Sequence, residues 1–138
     1  METLLLTIYF AVLIISLLII LFKLSKQGFR GFIQKNRWLV LGLIIGVIIT
    51  YLVPRILSLF TLQEIMYSPW GRIAYLSPGT YLNANIGFMY GFNAAATGGE
   101  IPMKLLILLG QLTPLFNALV YAMFFGGLSR LLSQFKKR

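Results

Sequence analysis

Cysteine, histidine and aspartate are absent from this 138-residue chain, and glutamate occurs only three times. Without cysteine there are no disulfides and no thiol chemistry; without histidine there is no imidazole base and no Cys/His metal site. The acid–base inventory shrinks to Glu2, Glu64 and Glu100, which carry no spacing that would make them a catalytic pair. Phosphate-loop, dinucleotide, zinc-protease and calcium-loop motifs are also missing. These absences argue against an enzyme, and no metal ligands or cofactor-binding residues are expected.

What the chain has is apolar mass: 59% of its residues are hydrophobic, 11% are charged, and the mean hydropathy is +0.87. Such values belong to integral membrane proteins. The net charge of +9 would in a soluble chain raise the question of nucleic acid, but its distribution answers otherwise. Nine of the twelve basic residues fall in two places: Lys23, Lys26, Arg30, Lys35 and Arg37 in one segment, and Arg130, Lys136, Lys137 and Arg138 at the end. The glutamates fall elsewhere. This is the sorting by which cytoplasmic loops of membrane proteins retain Lys and Arg, and no nucleic-acid partner is expected.

Three apolar runs define the expected spans. Residues 3–22 form an uncharged twenty-residue stretch that matches the bilayer thickness at about 1.5 Å per residue. With Glu2 before it and KLSKQG behind, it reads as an uncleaved anchor rather than a signal peptide. Residues 38–62 form the second run, opening on Trp38 at headgroup level, and 104–128 form the third. Residues 23–37 are then a short cytoplasmic loop. Its five cations suit anionic lipid headgroups, with Phe29 and Phe32 dipping into the interface.

The connecting segment 63–103 has a different character, rich in Gly, Pro, Asn and aromatics. No charge lies between Ile73 and Gly99, so a fourth crossing is an alternative. Asn83, Asn85, Asn93 and Pro78 disfavour a lipid-facing helix. A single extra crossing would also put the basic tail on the wrong side. The expectation is an extracytoplasmic segment that lies on the membrane or re-enters it, with Trp70, Tyr75, Tyr81, Phe88, Tyr90 and Phe92 as interfacial anchors.

Within the spans, Gly42 and Gly46 form a small-xxx-small pair continued by Thr50, a pattern that lets another helix backbone come close. Gly110, Pro114, Asn117 and Tyr121 share one narrow helical stripe on the third run, with Gln111 and Thr113 to either side. Both groups are helix-packing candidates. Pro54 should bend or end the second helix. Arg55 is an interface anchor, paired with Glu64, or a contact for an anionic partner.

The expected fold is therefore an all-α integral membrane domain over 1–138. It has three transmembrane helices, N-terminus outside and C-terminus inside, in a bacterial-type cytoplasmic membrane. The bilayer and other membrane helices, from copies of itself or another protein, are the expected partners. The architecture, small size and basic FKKR end resemble phage holins, small proteins that oligomerise into lesions of the cytoplasmic membrane. That resemblance implies no site residue, and the long 63–103 segment departs from it. The expected role is an accessory or structural subunit of a membrane complex without catalytic activity; the alternative is a self-assembling, holin-like pore.

Overall fold

The computed structural model describes residues 2–57, 59 and 69–136, and among them every regular element is a helix. Glu64, Lys137 and Arg138, and the side chains of Pro54, Trp70 and Tyr75, lie outside the described residues. The order is α1 (Glu2–Lys35), α2 (Arg37–Val47), a π-helical turn (Ile48–Leu52), α3 (Val53–Leu57), α4 (Pro69–Leu76), α5 (Pro78–Thr97) and α6 (Met103–Phe135).

Two stretches, Thr3–Lys35 and Met103–Phe135, are long and apolar enough to cross a membrane, and Arg37–Leu52 is a shorter apolar one. Only 22% and 39% of the most apolar windows of the two long helices are buried inside the protein. In α1 one face, Tyr9, Leu13, Ser16 and Ile20, is buried, while Leu4, Ile14, Ile15, Leu18 and Phe22 point outward. The inward spacing of four, three and four residues is that of a packed helix stripe, and the outward apolar surface suits lipid.

The helix does not stop where its apolar run ends at Phe22. It continues through Lys23–Gln27 and breaks at Gly28, whose φ of 65° and ψ of 168° are not helical. Lys, Leu, Ser and Gln sustain the helix beyond the apolar run, so the sequence boundary marks hydropathy and not the helix end. After the break Phe32 turns inward and Phe29 stays exposed. Asn36 then holds the turn: its Nδ2 donates to Gln27 Oε1 (2.7 Å) and Phe32 O (3.0 Å), and its Oδ1 accepts from Lys23 Nζ (3.2 Å). Because a side chain at positive φ is strained, Gly28→Ala should cost about 1 kcal/mol in unfolding measurements, whereas Gly31→Ala, next to ordinary space, should cost nothing.

Pro54 acts one turn before its own position. It has no N–H to give the Thr50 carbonyl, and the ladder widens over Ile48–Leu52, with the Val53 N–H reaching back to Ile48 O. The Gly- and Asn-rich segment contains α4 and the twenty-residue α5, about 30 Å long. Pro78 at its first turn pre-sets the backbone, and Gly98 at φ 68° ends it.

Candidate functional site

The bundle is organised by α6, against which α2, α5 and α1 all pack. Its partners divide it by length. Gly42 lies on Tyr121 and Ala122, Gly46 on Asn117 and Ala118, and Leu39 on Gly126, so α2 runs antiparallel along the C-terminal half. Gly79 lies on Phe116 and Asn117, and Asn83 on Thr113, so α5 runs antiparallel along the N-terminal half. The two regions meet at Asn117, which is fully buried.

At Gly46 the approach is backbone to backbone. A Cβ there would fall 2.5 Å from Ala118 Cα, 2.7 Å from Ala118 N and 2.8 Å from Asn117 O; at Gly42 it would fall 2.6 Å from Ala122 Cα. Glycine is the only residue without a Cβ to meet these atoms.

Asn117 uses both ends of its amide. Oδ1 accepts the Gly79 N–H at 2.6 Å, and Nδ2 donates to Thr50 Oγ1 at 2.9 Å and reaches Thr80 Oγ1 at 3.4 Å. The first bond is a helix cap supplied from another helix. Ser77 precedes α5 in the N-cap position but bonds Ile73 O instead (2.9 Å), leaving the Gly79 donor to Asn117. Thr50, in the π turn, donates to Gly46 O at 2.7 Å while accepting from Asn117. One side chain therefore joins α6, the π turn and the start of α5.

A second layer continues toward the N-terminal end of α6. Thr113 Oγ1 donates to Leu109 O (2.8 Å) and accepts from Asn83 Nδ2 (3.3 Å). Tyr9 stacks on Phe116 with centroids 4.4 Å apart, and its hydroxyl donates to Leu109 O at 3.4 Å. On the other side Tyr121 OH lies 3.4 Å from Ser77 Oγ. Among the described residues no buried side-chain nitrogen or oxygen lacks a partner. A polar interior completed in this way holds helices together.

The residues singled out in the sequence separate as follows. Gly42, Gly46, Asn117 and Tyr121 come together at the α2–α6 seam and the start of α5. Pro114 is half-buried beside them, and Gly110 is exposed, 3.9 Å from Asn83 Nδ2 at the position a Cβ would take. The buried face of α6 is turned toward Leu109, Thr113 and Phe116, because α5 and α1 cover that side. Arg55 is exposed in α3. Thr113, Asn83, Ser77, Thr80 and Tyr9 were not expected in the network: Tyr9 and Thr113 are polar groups within apolar runs, and Ser77, Thr80 and Asn83 lie in the 63–103 segment, where no helical stripe singles them out.

One polar side chain in the apolar part of α6 stands apart. Gln111 is exposed and makes no hydrogen bond with any described residue. Among the described residues, no three His, Cys, Asp or Glu side chains are grouped to hold a metal ion.

No family model matches the chain, and no curated protein or solved structure matches it either.

Proposed function

We propose that the protein is a small multi-pass membrane protein that works without catalysis, as an accessory or structural subunit of a membrane complex. The observation that carries this reading is the contrast between the interior and Gln111. The buried Asn117 amide and the Thr50 and Thr113 hydroxyls are spent on joining helices of the same chain. The Gln111 amide faces outward from an apolar helix with no hydrogen-bond partner among the described residues. In hydrocarbon such a group is stabilised by a second helix that offers a donor and an acceptor.

In the proposed topology the chain crosses three times, over residues 3–22, 38–62 and 104–128, with the N-terminus outside and the C-terminus in the cytoplasm of a bacterial-type cell. Residues 63–103 re-enter from outside. Support comes from the level of Ser77 and Gly79, which sit beside Asn117, about halfway along α6, so that α5 covers only its N-terminal half. A helix that begins at mid-depth is tolerated where protein covers its open end, as Asn117 does here.

The test is purification of the full chain from its native membrane in mild detergent, followed by native mass spectrometry. A second protein at fixed ratio is the expected result. Gln111→Leu should weaken that association about 3- to 10-fold, as loss of one interhelical polar contact of roughly 0.6–1.4 kcal/mol does, without lowering the stability of the chain itself. A monomer indifferent to this change would overturn the reading. A pure homo-oligomer that releases dye from vesicles would replace it with the self-assembling pore.

A further inference from the structure

Where α1 breaks, α2 begins and α6 leaves its apolar run, a cavity of about 80 Å³ is lined by Lys23, Lys35, Asn36, Arg37, Ser129 and Arg130, among others. Four cations share one small space. Lys23 reaches the Asn36 amide, and Lys35, Arg37 and Arg130 make no ion pair with any described residue. Glu2 begins α1 and Glu100 precedes α6, so both are at the opposite ends of the helices that supply Lys23 and Arg130. Like charges gathered this way repel unless an anion joins them.

The size limits the anion. A cavity of this size holds a few waters or one small polyatomic group. Several N–H donors around one centre suit the oxygens of a phosphate. The surroundings indicate what carries that phosphate. Lys23 also lines a shallow, open apolar groove of about 670 Å³ along the outer face of α1, together with Leu18, Ile19, Leu21, Phe22 and Ser25. Trp38, at the other rim of the cavity, is an aromatic of the kind that settles at headgroup level.

We propose that this cavity binds the phosphate group of an anionic lipid headgroup, with the acyl chain of that lipid lying in the α1 groove. The inference rests on the membrane reading above and adds a defined site to it. It differs from general attraction of a basic segment to acidic lipid, because it assigns the binding to Lys23 and Arg130 and not to their neighbours Lys26 and Arg30, which are exposed on the same side and line none of this cavity.

The test uses the delipidated full chain in neutral detergent, titrated with phosphatidylglycerol or phosphatidylcholine of matched chains and read by native mass spectrometry. Saturable binding of one phosphatidylglycerol is expected, with affinity about tenfold lower in the Lys23→Gln/Arg130→Gln variant and within about twofold of the wild type in Lys26→Gln/Arg30→Gln. Both variants remove two positive charges. Equal losses in the two would overturn the site in favour of diffuse attraction, and equal binding of phosphatidylcholine, whose phosphate is balanced by its choline, would overturn the requirement for an anionic headgroup. Displacement by millimolar inorganic phosphate, with no preference for the lipid, would assign the cavity to soluble phosphate and overturn the lipid. Helical content by circular dichroism guards against a misfolded variant, and retention in the membrane pellet after alkaline extraction reports on the membrane reading separately.

Discussion

Asn117→Leu is expected to lower the unfolding free energy by about 2–4 kcal/mol, measured by circular dichroism in mixed detergent micelles. Leucine keeps the branched outline of asparagine but has bulkier methyls, so crowding in this fully buried site adds to the lost hydrogen bonds. The substitution removes the acceptor that holds the Gly79 N–H at 2.6 Å and the donor that reaches Thr50 at 2.9 Å. An unpaired backbone N–H in a dry interior costs about 1–3 kcal/mol by itself, and the Thr50 oxygen loses its donor as well. Thr80→Val provides the comparison, since it deletes only the 3.4 Å contact and should cost less than about 1 kcal/mol. If the two variants prove equally stable, Asn117 is not the joint between α5 and α6 described above.

Gly46→Ala should cost about 3 kcal/mol, at the upper end of what an added methyl costs in a packed core. A methyl elsewhere is accommodated when a flexible side chain moves, but the atoms around Gly46 are backbone: Ala118 Cα and N, and Asn117 O. Either helix must shift as a body, and the shift would stretch the Asn117–Thr50 bond one turn away. The effects of the two sites are therefore coupled, and the double variant should lose less than the sum. Gly127→Ala, on α6 with nothing within 4 Å, should instead stabilise by about 0.5–1 kcal/mol, because alanine is the better helix former. A loss at Gly127 as large as that at Gly46 would mean that the close backbone approach at Gly46 is not what makes its substitution costly.

The seam between α2 and α6 was legible in the sequence because its cause is local. Small residues four apart bring helices close whatever the partner is, and Gly42, Gly46 and Asn117 could be marked without knowing what they touch. The orientation of α6 was legible only in part. The stripe through Gly110 and Pro114 was drawn from the polar and small residues alone, and the arrival of α5 and α1 on the other side turns the buried face toward Leu109 and Thr113. Nothing in α6 itself encodes that arrival. The helical run of Lys23–Gln27 is hidden for a related reason: hydropathy reports where the apolar run ends, whereas Gly28 decides where the helix ends. Segment 63–103 was read as re-entrant or interfacial from its asparagines and glycines. Its division into α4 and α5 depends on Ser77 and Pro78, and the α5 cap comes from a residue 38 positions away, beyond any local pattern.

That distance sets an order of events during synthesis. The N–H of Gly79 emerges from the ribosome 38 residues before the side chain that caps it. At about 5–20 residues per second this is an interval of a few seconds, during which α5 has a bare start and few apolar neighbours of its own. The backbone hydrogen bonds of the first two apolar segments are internal to their helices and can form in that time, whereas the contacts of Tyr9, Gly42, Gly46 and Thr50 also wait for α6. The cap of α5 cannot form until α6 has been made, so the later helix completes the start of the earlier one.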